Sequence, residues 1–290
     1  MPRKPEQVQP MGPTQGEGSH LHRPAHGRDG ETVPLLSHLN RFDLKPDKKL
    51  GQHWLTSDKA VRQIIDAADG LAGVLEVGPG PGILTRALAP GRKVVAIDLD
   101  PRMVEAAAAF APGADVRLLD ALQADWMGIL EGLPHPRGIV SNMPYNITGP
   151  LLAKAAECQP RIDRAVLMMQ REVGEKLIAP AGDRRRGAVS VVFQRLFTVS
   201  RVCLVPPGAF LPPPKVESIV LRFVPRLPSH EGVFALVRQG FSHPRKTLAN
   251  NLAAWGKDVV ADAAEGLSPT VRPHELAEED WFGLYERLNR

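Results

Sequence analysis

The chain has 290 residues, enough for one large domain or for a large domain with a small one. With 43% hydrophobic and 23% charged residues it can bury a real core, and no apolar run approaches the roughly 20 residues that span a bilayer. The formal net charge of +4 is unevenly placed: residues 161–246 carry 15 basic and 6 acidic side chains, against 13 and 14 in residues 41–160. That basic stretch suggests a polyanionic partner, with a solvated arginine-rich face as the alternative.

Residues 1–40 hold 11 Gly or Pro and four His (His20, His22, His26, His38), with no sustained apolar period. They read as a disordered tail without the apolar core of a signal peptide, and Met11 is a second candidate start. The irregular histidines and the distant Cys158 and Cys203 form no metal-ligand pattern, so no metal is expected. Order is expected from Phe42. Residues 57–68 predict a helix capped by Ser57 or Asp58, with Val61, Ile64, Ile65 and Ala68 on one face. Then follow a buried strand over Gly73–Val77, a helix from Ile83 to Leu88, a strand over Lys93–Asp98 and an Ala-rich helix from Pro101 to Phe110. Further strands are expected at Asp115–Leu119, Arg137–Asn142 and Arg164–Met169.

Strands alternating with helices predict an α/β fold with a doubly wound, mostly parallel, Rossmann-like sheet over residues 41–226. Past about residue 230 the pattern turns helical: Val233–Phe241, Lys246–Trp255, Asp258–Ala264 and Leu276–Leu288 predict a small helical C-terminal domain over 227–290. In a parallel sheet, ligands sit at the carboxyl ends of the strands, which brings Gly78, Asp98, Asp120 and Asn142 to one place.

Glu76-Val77-Gly78-Pro79-Gly80-Pro81-Gly82 follows a strand and opens a helix. Its glycines allow a sharp turn and close approach to a ligand. Asp98, 20 residues after Gly78, can accept both hydroxyls of a ribose, so a nucleoside-bearing cofactor is implied. The third glycine does not fit the dinucleotide spacing, and Glu76 would repel a pyrophosphate while suiting an amino group and a sulfonium. That pattern favours S-adenosylmethionine over NAD. Asp120 can hold the exocyclic amine of the cofactor's adenine, with Asp115 and Asp125 as nearby alternatives.

Asn142-Met143-Pro144-Tyr145 follows the fourth strand. The exocyclic amine of adenine is a poor nucleophile because its lone pair is delocalised into the ring. The Asn142 side-chain oxygen and the Pro144 carbonyl are both acceptors for its hydrogens. Tyr145 offers a face on which a flipped base can stack. Alignment can then carry an in-line displacement without a strong general base.

These segments, with Leu50-Gly51-Gln52-His53-Trp54-Leu55, Met169-Gln170-Arg171-Glu172-Val173, the run Phe210-Leu211-Pro212-Pro213-Pro214-Lys215-Val216-Glu217-Ser218, and Arg245-Lys246-Thr247-Leu248-Ala249-Asn250-Asn251-Leu252, occur in an order that resembles the ribosomal RNA adenine dimethyltransferases, particularly the bacterial KsgA/RsmA branch. The resemblance covers about residues 42–288, with Trp54 and Met143 standing where the family usually has Phe and Leu. It implies that His53, Leu55, Gly78, Asp98, Asp120 and Asn142 contact the cofactor, joined by Glu76 and Gly80 of the glycine loop. It also implies that Phe210 faces Tyr145 across the target base, and that two adjacent adenines in a hairpin loop near the 3′ end of 16S rRNA each receive two methyl groups. The partner implied is 16S rRNA within the small ribosomal subunit or its precursor, met by a cytoplasmic monomer with no membrane association.

Arg184, Arg185 and Arg186 form a basic cluster expected on a loop near the active face, supported by Lys215 and Arg222 as RNA contacts. Arg161, Arg164, Arg171, Arg195, Arg201 and Arg226 add charge to the region. Three rival readings differ in class. One is the macrolide-resistance branch acting on 23S rRNA, disfavoured by Arg245-Lys246-Thr247-Leu248 and the C-terminal length. A non-catalytic RNA-binding offshoot is disfavoured by the intact Asn142–Tyr145 loop. An NAD-dependent oxidoreductase leaves that loop unexplained.

Overall fold

The computed structural model describes residues 35–47, 51–256, 260 and 262–289. The expected tail lies outside the described residues up to residue 34, but its end does not behave as a tail. A helix, α1 (Leu35–Arg41), precedes Phe42, and Leu39 packs with Leu44, Trp54, Met103 and Ala106. These four buried apolar partners offset the ordering of this short segment.

A seven-stranded sheet organises the chain: β2 (Gly73–Val77), β3 (Lys93–Asp98), β4 (Asp115–Leu118), β5 (Arg137–Asn142), β6 (Arg164–Gln170), β7 (Phe197–Val205) and β9 (Ser218–Pro225), in the order β4-β3-β2-β5-β6-β9-β7. The five strands from β4 to β6 are parallel, as expected. Neither β7 nor β9 was anticipated; both run antiparallel and close one edge of the sheet. Ser218–Pro225 reads Ser-Ile-Val-Leu-Arg-Phe-Val-Pro, a short apolar run whose strand character comes from burial against β6 rather than from alternation. A two-residue ribbon, β1 (Trp54–Leu55) with β8 (Phe210–Leu211), lies outside the main sheet.

Helices cover both faces, as a mostly parallel sheet requires. On one face α2 (Asp58–Ala67) and α3 (Ile83–Leu88) bury Ile64, Leu84 and Leu88 against Val74, Val94 and Val140. Ser57 caps α2 by accepting from Ala60 N at 3.3 Å, which confirms one of the two expected caps. Beyond α3, α4 (Pro101–Phe110) is capped by Asp100. The other face is covered by α5 (Trp126–Glu131), α6 (Thr148–Glu157), α7 (Arg171–Leu177) and α8 (Ala188–Leu196), which bury Trp126, Leu151 and Phe193 against Leu75, Ile97 and Leu167.

The C-terminal helices α9 (Glu231–Gly240), α10 (Leu248–Asn251) and α11 (Glu278–Leu288) gather around Trp281, Leu236 and Leu284. The helix expected from Lys246 to Trp255 is broken into α10 and a 3₁₀ turn at Ala253–Trp255, and part of Asp258–Ala264 lies outside the described residues. This cluster also takes in Val191 of α8, and Glu278 of α11 accepts from both Arg195 and Arg226. The described residues from 35 to 289 accordingly fall in one compact unit.

Candidate active site

At the carboxyl ends of the parallel strands lies a cavity lined by His53, Leu55, Glu76, Gly78, Gly80, Asp98, Asp120 and Asn142, together with Pro144 and Tyr145. All eight residues expected to hold the cofactor therefore share one wall system. The loop after β2 passes through left-handed conformations at Gly78 (φ 69°) and Gly80 (φ 53°), which glycine adopts without steric cost. That turn aims Gly80 N at Asp98, to which it donates at 3.2 Å.

The acids of the cavity are held differently. Asp98 accepts from Gly80 N through Oδ2 and from Asp100 N through Oδ1, at 2.9 Å in the second case, yet burial still pushes its carboxyl up to about 6. Glu76 is 1% exposed, and burial, aggravated by the nearby Asp98 charge, pushes it up to about 8. Its Oε2 has no hydrogen-bond partner. A buried carboxylate oxygen left without a donor is costly unless a ligand supplies one. Asp120 accepts from Leu122 N at 2.8 Å and faces the cavity. The two alternatives for its role are otherwise engaged: Asp115 pairs with Arg117, and Asp125 caps α5 by accepting from Gly128 N at 3.0 Å. This donor-poor, acid-rich lining fits a ligand with a ribose, an amine and a cationic centre, as S-adenosylmethionine has.

The segment after β5 meets the cavity from the other side. Asn142 Nδ2 donates to the His53 carbonyl at 3.1 Å, which leaves Oδ1 as an open acceptor. Pro144 lines the cavity, but its carbonyl already accepts from Ile147 N at 3.2 Å and from Thr148 Oγ1 at 3.1 Å. Both lone pairs thus serve the turn that begins α6, which weakens the expected use of this carbonyl. The Tyr145 hydroxyl is hydrogen-bonded to that of Ser218, a buried residue at the start of β9, and burial raises the Tyr145 phenol above its ordinary value.

Phe210 is not among the residues that line the cavity with Tyr145. It is 3% exposed, pairs with Leu55 in the β1–β8 ribbon, and belongs to the apolar cluster with Val205 and Val220. The ring stacked near Tyr145 is that of His53, 5.6 Å away at 26°. Its Nδ1 donates to the Pro212 carbonyl at 2.8 Å. The strand pairing turns Phe210 inward and leaves Leu211 exposed.

The expected RNA contacts also separate. Arg185 binds Asp183 and Glu175, and Arg186 is buried, donating to the Ala179 carbonyl and to Gln194 Oε1. Arg222 pairs with Val166, four residues along β9 from Ser218 and toward the amino end of β6, away from the cavity. Arg184 and Lys215 remain exposed. Sequence reasoning assigned no role to Ser218 or Gln52, although both fall inside quoted motifs; Gln52 Nε2 donates to Asp100 Oδ2 at 3.2 Å and ties the segment before β1 to the loop after β3.

The sequence profile of the family described as ribosomal RNA adenine dimethylase matches residues 44–290. The chain belongs to that family. This dimethylase is 41% identical over 263 residues to the ribosomal RNA small subunit methyltransferase A of a Synechococcus species, covering 84% of this chain and 93% of the relative. It is 39% identical over 259 residues to the protein of the same name from Synechococcus elongatus, covering 82% and 93%. Among solved structures it is similar to a dimethyladenosine transferase from Plasmodium falciparum, with 28% identity, a TM-score of 0.69, and coverage of 80% of this chain and 96% of that one. It is also similar to the 23S rRNA methyltransferase ErmE, with 25% identity, a TM-score of 0.64, and coverage of 82% and 100%. The dimethylase is thus an rRNA adenine methyltransferase with S-adenosylmethionine as methyl donor. Among the described residues no helix is long and apolar enough to cross a membrane.

Proposed function

We propose that the dimethylase acts on two adjacent adenines in a hairpin loop near the 3′ end of 16S rRNA, adding two methyl groups to each exocyclic amine during small-subunit biogenesis. The observation that carries this reading is the convergence of Glu76, Asp98, Asp120 and the Asn142–Tyr145 segment on one cavity. The choice of 16S over 23S rRNA is supported by identities of 39% and 41% to proteins named for the small subunit, against 25% to the 23S enzyme. The protein works as a cytoplasmic monomer on the subunit or its precursor.

When bound, S-adenosylmethionine supplies a methyl group on a sulfonium, an already activated leaving group. Asp98 holds the ribose hydroxyls, Asp120 the adenine amine, and Glu76 the cationic end of the cofactor. Asn142 Oδ1 accepts a hydrogen of the target amine and orients its lone pair toward the methyl group; the His53 carbonyl holds the Asn142 amide in that sense. Tyr145 provides the stacking face, held in place by Ser218. Labelled S-adenosylmethionine offered with immature small subunits, undermethylated 16S rRNA and 23S rRNA tests the assignment. Dimethyladenosine in the small-subunit RNA is the expected result, and label confined to 23S rRNA would overturn it.

A further inference from the structure

Among the described residues that line the catalytic cavity, two buried side-chain atoms lack a hydrogen-bond partner: Glu76 Oε2 and Trp54 Nε1. An ionised carboxylate can only accept, and an indole N–H can only donate. The amino-acid end of S-adenosylmethionine carries an ammonium and a carboxylate on one carbon, which calls for one group of each kind. We propose that the Trp54 indole N–H donates to that carboxylate, beside the ammonium held by Glu76. The proposal rests on the reading of Glu76 given above and deepens it by naming the donor for the one anionic group of the cofactor.

The rest of the lining has little to offer an anion. Among the described residues that line the cavity there is no Lys or Arg. Pro79 and Pro81 have no N–H, and the glycine N–H groups of the loop are already engaged. Gly78 N donates to the Ile97 carbonyl at 3.0 Å, Gly80 N to Asp98 at 3.2 Å and Gly82 N to the Pro79 carbonyl at 3.1 Å. Side-chain donors are engaged as well: Gln52 Nε2 with Asp100, His53 Nδ1 with the Pro212 carbonyl, Asn142 Nδ2 with the His53 carbonyl, and the Tyr145 hydroxyl with Ser218. A carboxylate brought in among Glu76, Asp98 and Asp120 loses its water and meets like charge, so it needs a donor. The indole N–H supplies one.

Trp54 is also well placed and firmly held. The Cδ1–Nε1 edge of its ring is the part that meets the glycine loop: a Cβ added at Gly80 would lie 3.2 Å from Cδ1 and 3.5 Å from Nε1. Leu39, Leu44, Met103 and Ala106 share an apolar cluster with the indole, and pairing of Trp54 with Leu211 fixes its backbone. At 4% exposure the bare N–H is costly to the free protein, and a bound carboxylate relieves that cost.

The test uses the full chain with Trp54→Phe, which keeps a planar apolar ring and removes the N–H. Calorimetric titration compares S-adenosylmethionine with its decarboxylated analogue, which keeps the ammonium, the sulfonium and the nucleoside. S-adenosylmethionine should bind the variant about 10- to 100-fold more weakly than wild type, the range for a hydrogen bond to a charged group. The analogue should bind both proteins equally, which also reports that the variant is folded. In proton–nitrogen correlation spectra of the wild type, the Trp54 indole N–H signal should move further downfield with S-adenosylmethionine than with the analogue. Unchanged affinity of the variant for S-adenosylmethionine overturns the proposal, as does an equal loss for both ligands or an indole signal that responds alike to both. Failure of the Glu76 reading is seen separately, in a Glu76→Gln variant that binds both ligands as tightly as wild type.

Discussion

The cofactor cavity and the arginine-rich side handle charge in opposite ways. In the cavity, buried Glu76 and half-buried Asp98 lie close to one another with few donors, and both carboxyls are pushed up, to about 8 and about 6. Around α7, Arg171, Arg185, Glu175, Asp183 and Glu217 neutralise one another near the surface. Charge left without a partner inside a protein is sustained by what it binds. Charge matched at the surface shapes a loop and contributes little else. Part of the basic content of residues 161–246 is thus spent on ion pairs within the chain, while a single acid in a buried strand lines the cavity.

Several variants can break this contrast or sharpen it. The largest effect is expected from Asn142→Ala, which should lower methyl transfer roughly 100-fold or more while S-adenosylmethionine and RNA still bind; retained turnover would remove the proposed role of Oδ1. Phe210→Ala should act through the core, lowering unfolding stability by about 3–5 kcal/mol in a urea titration. A loss of turnover at unchanged stability would instead restore Phe210 to the base-stacking position.

Glu76→Gln comes next. Because the folded value is raised from 4.5 to about 8, the carboxyl binds a proton in the folded state that it has lost in the unfolded chain over that range. Its stabilising contribution is complete below about pH 4.5 and disappears as pH rises through about 8. Thermal melts of the variant should lose this slope and exceed wild type at the alkaline end. In calorimetry, wild-type affinity for the cationic cofactor should rise between pH 6.5 and 8.5 as Glu76 ionises, and the glutamine variant should be weaker and flat. A pH-independent wild-type affinity would mean that Glu76 does not face the cofactor's cationic end.

The smallest effects separate the adjacent arginines. Arg186→Ala should cost about 1–3 kcal/mol of stability, because its buried hydrogen bonds to Ala179 and Gln194 are lost, with no change in the salt slope of RNA binding. Arg185→Ala, at an exposed pair, should barely move either quantity. A drop in salt slope for Arg186→Ala would mean that the loop opens on RNA.

Much of the fold was legible in the chain. Four of the five parallel strands, β2, β3, β5 and β6, are largely buried runs spaced by helices, while β4, at the sheet edge, is mostly exposed. The glycine loop, Asp98 and Asn142 were legible for the same reason: each sits immediately at the end of a strand whose position was clear. The antiparallel edge was not, since Phe197–Val205 and Ser218–Pro225 become strands by pairing with one another and with β6. Order in α1 was hidden by the Gly- and Pro-rich residues before it.

Sequence alone determined the five parallel strands, the residues that line the cavity and the family resemblance, because these depend on local pattern, turn chemistry and motif spacing. Tertiary structure alone decided which of Asp115, Asp120 and Asp125 faces the cavity, that Phe210 points inward while His53 stacks on Tyr145, and that Arg184 stays exposed while Arg185 is ion-paired and Arg186 is buried. Those outcomes turn on strand pairing and on which partner each side chain meets across long sequence separations, and no local pattern encodes that choice.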